Sequence, residues 1–503
     1  MCATPVAHFF YIVRLLLKEH FFMSNSTDAK KHKGRVYTPE YIVKIILDMS
    51  HYTDNVLEKH VIDNSCGDGA FLCEIVKRYC KLALKRNLPP DTLKEHLEKY
   101  VHGIEIDPVE HKKCLKNVTE VAKKYGIMTD INWNIICKDA LTVDKYNGKM
   151  DFVLGNPPYV RVHNLDDSLF AAKKFSFAQD GMTDLYIVFY EIGLNMLNKN
   201  GVLGYITPSS FFNSLAGNYM RKFFVQENLI EKLVDLKHFQ AFNATTYTTI
   251  VILNKNHRTN ESEYYQFDEK NLIPYFVETL TPDDYYISGN FYFSAKENLL
   301  LLKKVFFNLG HCLIEVKNGY ATLCDEVFIG FFDFNSKYII PVIKASRGEK
   351  KQIIYPYDPY GKLISVKELE KDEDLYSYLI KNKEKLSKRN AENKSDNNWF
   401  AFGRSQAIND TYKNKISINN LLRTSADLKI VSAPSGTGVY SGLYLTGEEK
   451  ELEKVPFLLK SKEFTTYISL LGKYKSGGYY TFSSKDIKAY FDYKLAYEKG
   501  LFK

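Results

Sequence analysis

No C-x-x-C pair occurs among the eight cysteines, and no histidine stands at zinc spacing from them, so no metal centre is expected. Scattered thiols in a chain of this length indicate a reducing, cytoplasmic setting rather than a disulfide framework. Cys66, Cys73 and Cys80 fall seven apart, which reads as one stripe of a helix. No apolar run is long enough to cross a membrane. The opening stretch, MCATPVAHFFYIVRLLLKEHFF, is interrupted by Arg14, lacks a basic leading region and has no small-residue cleavage site. Met23 opens a polar stretch with the texture of a true start, and residues 1–22 are read as an upstream extension of the frame.

What is there is an ordinary globular composition: 503 residues, 45% hydrophobic and 25% charged, which excludes disorder and allows two or more domains. The net charge of +8 suits a polyanionic partner. Basic residues cluster locally, at Lys30 to Arg35, at Lys344 to Lys351 and at Lys381 to Arg389, where a solvated face is the plain alternative.

From Arg35 to Lys255, short β-branched runs at 61–65, 101–106, 134–139, 151–156, 201–206, 232–236 and 248–253 alternate, in the early part, with amphipathic segments. That rhythm predicts an α/β domain with a mostly parallel, doubly wound sheet, whose ligands sit at the carboxyl ends of the strands. The last two runs are joined by KHFQAFNATTY, too short for a crossover helix, so one of them is expected to run antiparallel.

Polar residues collect at the strand ends. The first strand is followed by DNSCGDGAF, residues 63–71, in which Gly67 and Gly69 allow the backbone to approach a ligand. The second ends in Glu105 and Ile106, an acidic position suited to both hydroxyls of a ribose. At the end of the third, Asp139 and Ala140 place a carboxylate where an adenine amine can donate to it. Three successive ends of this kind predict a site for an adenosine-bearing cofactor. The fourth strand runs into DFVLGNPPYVRVHNL, where Pro157 and Pro158 stop the ladder and stiffen the turn. Asn156 then offers an amide oxygen beside the Pro157 carbonyl, with the ring of Tyr159 close by, a set that suits a planar amine.

This order of motifs resembles the adenine-N6 DNA methyltransferases of the NPPY kind, in the gamma arrangement of type II restriction–modification methylases. The segment GRVYTPEYIVKIILDMS, residues 34–50, is similar to the one that these enzymes place before the glycine loop. The resemblance implies a Rossmann-like sheet that binds S-adenosyl-L-methionine, followed by a partly β target-recognition domain. It assigns cofactor contacts to Val36, Tyr37, Thr38, Asp63, Asn64, Ser65, Cys66, Gly67, Gly69, Glu105, Ile106, Asp139, Ala140 and Pro158. It assigns catalysis to Asn156, Pro157, Tyr159 and a second stacking ring, for which Phe242 is the choice, Phe239 the fallback and Tyr186 a further pocket-wall residue. The domains expected are an extension over 1–33, a catalytic domain over 34–290 and a DNA target-recognition domain over 291–503, with Arg347, Arg404 and Gln406 as contacts. Double-stranded DNA is the expected partner of a monomer, with a restriction endonuclease as its functional counterpart. Alternatives are RNA adenine-N6 or protein glutamine methylation with the same turn, or a component of a restriction–methylase fusion. No paired-carboxylate and lysine signature of a nuclease is seen.

Overall fold

The structure, a computed structural model, describes residues 37–162, 172–242, 246–392 and 395–498. Val36 and the expected extension over residues 1–33 lie outside the described residues. The chain divides into two compact units, one ending at Tyr275 and the other beginning at Phe276.

The first unit opens with α1 (Glu40–Met49), started by Pro39, whose ring suits the entry to a helix. Its Ile42, Val43, Ile46 and Leu47 are buried in the core. Strands β1 (Val61–Asp63), β2 (Val101–Glu105), β3 (Asn134–Cys137) and β4 (Met150–Gly155) follow, with α2 (Ala70–Lys85), α3 (Pro90–Tyr100) and α4 (Pro108–Lys123) between them. Next come α5 (Leu185–Met196), β5 (Leu197–Pro208), α6 (Asn218–Gln226), β6 (Ile230–Asp235), β7 (Thr248–Asn254), β8 (Ser262–Asp268) and β9 (Ile273–Leu280).

The strands lie in the order β3-β2-β1-β4-β5-β7-β6-β8-β9. β3, β2, β1, β4 and β5 run parallel to one another. β7 is antiparallel to both β5 and β6, so it is the reversed strand that the short connection demands. The Rossmann-like expectation therefore holds, on a wider sheet than the seven runs predict. α5 is buried almost all round, as its uniformly apolar sequence requires. The cysteine stripe is corrected: Cys66 lies in the loop before α2, and only Cys73 and Cys80 are on the helix. Its thiol stands 3.8 Å from that of Cys114 on α4.

The second unit mixes short helices with two four-stranded sheets. One is built from Glu315–Asn318, Leu443–Thr446, Lys415–Ile418 and Val431–Ala433, in that order. The other is built from Ile329–Gly330, Glu349–Ile354, Ile339–Lys344 and Gly438–Tyr440. Tyr320, Phe328, Tyr355, Tyr357 and Phe402 form an aromatic core here. Arg389, at the end of a basic cluster, is buried and donates to the carbonyls of Thr322, Leu386, Trp399 and Ala401. That guanidinium is a structural cross-link.

Candidate active site

The carboxyl ends of β1 to β4 surround a cavity of about 380 Å³. Tyr37 and Thr38 ahead of α1, Asp63 to Gly67 after β1, Glu105 and Ile106 after β2, Asp139 and Ala140 after β3, and Asn156 to Tyr159 after β4 all line it. Gly69 does not line it. This residue adopts φ +94° at the start of α2, and a Cβ there would meet the Cys114 sulfur at 2.9 Å, so its lack of a side chain serves the contact between α2 and α4. Asp68, Phe71, Leu185 and Phe189 also line the cavity and were not foreseen. The last two lie on α5, and a helix that is apolar all round carries no periodic cue to which residues face a ligand.

The walls are chemically distinct. Glu105 accepts from the Gly67 and Asp107 amides, both at 2.8 Å, one on each oxygen. Each oxygen keeps a further lone pair for a hydroxyl. Asp139 caps the turn after β3 through one oxygen, which accepts from Leu141 N at 3.0 Å. Beside them Ile106 exposes 61% of its surface, an apolar patch for a flat ring. Asp63 is buried, and burial first, then the negative charge of Glu105, push its carboxyl up to about 8 against the opposing amide of Ser65. A cation entering the cavity would offset the cost of ionising it. Asn64 accepts from the Tyr205 hydroxyl at 2.8 Å, and its amide nitrogen is buried without a hydrogen-bond partner among the described residues.

The turn after β4 is anchored from two sides. Asn156 Nδ2 donates to Thr38 Oγ1 at 3.1 Å, and the Asn156 carbonyl accepts from Ser65 Oγ at 3.3 Å. The amide oxygen, Asn156 Oδ1, is buried and has no hydrogen-bond partner among the described residues. A buried acceptor left unpaired costs on the order of 1–3 kcal/mol, which a donor entering the cavity would recover. Tyr159 donates to the Ile206 carbonyl at 3.0 Å, which fixes its ring.

Three aromatic positions were weighed as partners for Tyr159. Phe242 packs edge-on against it at 6.1 Å between centroids, with 72° between the planes. Tyr186 lies 6.3 Å from it, also edge-on, and its hydroxyl is 3.1 Å from Ser210 Oγ. Phe239 instead meets Phe267 at 4.7 Å. In the second unit, Arg404 and Gln406 come together beside residues 319–321: the Arg404 amide donates to Ala321 and the Gln406 side chain to Gly319. Arg347 sits apart from them in the turn after Ile339–Lys344, exposed and 3.8 Å from Glu349.

Residues 70–242 match the family model described as Eco57I restriction-modification methylase. Over these residues the chain is similar to restriction–modification methylases. Among curated relatives, the type II methyltransferase M.BstVI of Geobacillus stearothermophilus is 28% identical over 73% of this chain and 73% of its own length. The type II restriction enzyme and methyltransferase RM.Eco57I of Escherichia coli is 24% identical, over 87% of this chain and 54% of its own length. Among solved structures, the type IIL restriction-modification enzyme MmeI in complex with DNA aligns with a TM-score of 0.58 at 14% identity. That match covers 88% of this chain and 63% of the other, and it is a likeness of fold.

The cavity fits the expected cofactor, S-adenosyl-L-methionine. Acceptors for ribose hydroxyls at Glu105, an apolar face at Ile106, a carboxyl in want of a cation at Asp63 and an unpaired donor at Asn64 correspond to its sugar, base, positive groups and carboxylate. Among the described residues, no helix is long and apolar enough to cross a membrane.

Proposed function

We propose that the protein is a gamma-class, site-specific DNA methyltransferase that methylates the N6 amine of an adenine swung out of duplex DNA, as the modification activity of a restriction–modification system. The observation that carries this reading is the unpaired, buried oxygen of Asn156 at the tip of β4. Held in this cavity, S-adenosyl-L-methionine would supply an electrophilic methyl group and leave as S-adenosyl-L-homocysteine, the methylated nitrogen losing one proton to water. The N6 nitrogen is a weak nucleophile because its lone pair is delocalised into the ring. Asn156 Oδ1 and the Pro157 carbonyl each accept one N–H, which draws the nitrogen toward a tetrahedral shape with its lone pair toward the methyl. Positioning and fixed dipoles supply the rate enhancement, and no covalent enzyme adduct is needed. Tyr159 offers one face for the extruded base. Phe242 offers the other once the edge-on contact between the two rings opens to admit it.

DNA as the acceptor is supported by what the relatives' names state, and by the second unit, where Arg347, Arg404 and Gln406 remain the proposed contacts. The test is Asn156→Ala. Methyl transfer to duplex DNA should fall by about a hundredfold or more, on the scale of removing one preorganised hydrogen-bonding group, while the affinity for S-adenosyl-L-methionine stays within a few fold. Near-normal turnover by this variant would refute the mechanism. Methylation of RNA in place of duplex DNA by the unaltered protein would refute the choice of acceptor.

A further inference from the structure

Next to the catalytic turn stands a pair of exposed apolar side chains that the mechanism does not use. Beyond Tyr159 the chain pairs with the segment that leads into α5. Leu185 N donates to the Val160 carbonyl at 2.7 Å, Val162 N donates to the Thr183 carbonyl at 3.0 Å, and the backbones of Arg161 and Asp184 form an antiparallel β-bridge. Val160 and Leu185 line the cavity, so Met182, three residues before Leu185, stands within about 10 Å of chain from its rim. Met182 is 72% exposed. Against its turn lies a second one: a Cβ on Gly181 would meet Ala216 N at 3.3 Å and Leu215 Cγ at 3.4 Å. Leu215 is 69% exposed.

Both turns are rigidly mounted. Asn218 donates to Asp180 at 3.2 Å, and Gln179 donates to the carbonyls of Lys173 and Phe175. Arg221 is buried and donates to the carbonyls of Phe211 and Ser214, just before Leu215. Below them Phe177 packs among Tyr219, Phe223 and Phe224. Two apolar tips on braced supports are held in place and free to enter an apolar environment. The same segments expose the basic Arg161, Lys173, Lys174 and Lys222, with the neutral Ser176, Gln179 and Asn213 beside them and Asp180 and Asp184 in the Met182 turn.

We propose that Met182 and Leu215 form a wedge that enters the base stack of duplex DNA at the step from which the target base is extruded. Basic side chains around the tips hold the flanking phosphates. The inference rests on the reading of the protein as a base-flipping DNA methyltransferase and adds the device that opens the duplex. Apolar tips beside a pocket for an extruded base, on segments that expose four basic side chains, suit an unstacked step in a polyanion better than a protein surface.

The experiment uses the full chain and a duplex carrying the methylation site mapped by sequencing plasmid DNA that the unaltered protein has modified. A second duplex has an abasic position opposite the target base, so that the base is already loosened. In Met182→Ser/Leu215→Ser, methylation of the intact duplex should fall by about ten- to a hundredfold, and methylation of the loosened duplex should stay within about twofold of the unaltered protein. Met182→Leu/Leu215→Met, which keeps two apolar tips, should restore the intact-duplex rate. An equal loss on both duplexes, or no loss on either, would overturn the wedge. Failure of the unaltered protein to methylate any duplex would remove the reading beneath it instead.

Discussion

Gly155, the last residue of β4, tests whether the cofactor site depends on close packing between strand ends. A Cβ built there would lie 2.7 Å from Asp63 Oδ1 and 3.2 Å from its Cγ. The backbone is unstrained at this position, so Gly155→Ala acts by contact alone. The Asp63 carboxyl must retreat by about 0.7 Å or more to reach ordinary van der Waals distance. The oxygen displaced is the one that accepts from Ser65 N at 3.0 Å, and Ser65 in turn holds the Asn156 carbonyl. Overpacking of this kind costs about 1–3 kcal/mol. Part of that should appear as lower stability and part as weaker binding, with the affinity for S-adenosyl-L-methionine reduced by about ten- to a hundredfold. Isothermal titration with the cofactor and a thermal melt would measure the two parts. Gly330→Ala, where a Cβ meets nothing within 4 Å, is the control that should change neither. Unaltered affinity and melting temperature in Gly155→Ala would refute the argument that this packing shapes the pocket.

Three further outcomes are expected. Because burial and Glu105 raise the Asp63 carboxyl to about 8, affinity for the cationic cofactor should rise with pH between about 6 and 8, by at most about tenfold per unit; titrations of Asp63→Asn across that range should be flat. Phe242→Ala should slow methylation by about ten- to a hundredfold while sparing cofactor binding, since stacking a base on an aromatic face contributes about 1–3 kcal/mol; Phe242→Trp should be milder, and an equal defect in Phe239→Ala would point to the wrong ring. His102 is buried 2.9 Å from His60, and burial, with His60 beside it, lowers its pKa to about 3. The unfolded chain therefore binds a proton below pH 6.5 that the folded chain refuses, and stability should fall by at most about 1.4 kcal/mol per pH unit from 6.5 toward 3 on this account. Urea midpoints at pH 7.5 and 5.5 should show a smaller acid loss in His102→Gln.

The parallel core and the turn after β4 were legible because both rest on local chemistry: β-branched runs, glycines at strand ends and two prolines that no interior strand tolerates. β8 and β9 went unseen. Their sequences, SEYYQFD and IPYFVETL, are mixed in polarity, which suits the end of a sheet and blurs the signal. Asn156 was readable as a residue of the cavity wall, but its tie to Thr38 was not, since those residues are 118 apart in sequence and only the fold joins them. The cysteine spacing misled because seven residues fit two helical turns whether or not the first position is helical. In the second unit, Arg389 shows why charge clusters are poor guides: its guanidinium is spent on backbone carbonyls.

The bond between Asn156 and Thr38 has a consequence for base choice. A primary amide has nearly the same outline when its oxygen and nitrogen exchange places, so shape alone does not decide which end meets the ligand. By accepting from Nδ2, the Thr38 hydroxyl turns the oxygen inward, and the pocket then greets groups that bring hydrogens. Were the amide reversed, the same turn would greet a carbonyl and disfavour an exocyclic amine. On the proposed reading, discrimination between amine-bearing and keto-bearing bases would be decided by a residue outside the turn after β4, and exchanging Thr38 would alter which bases are tolerated before it altered how fast the correct one reacts.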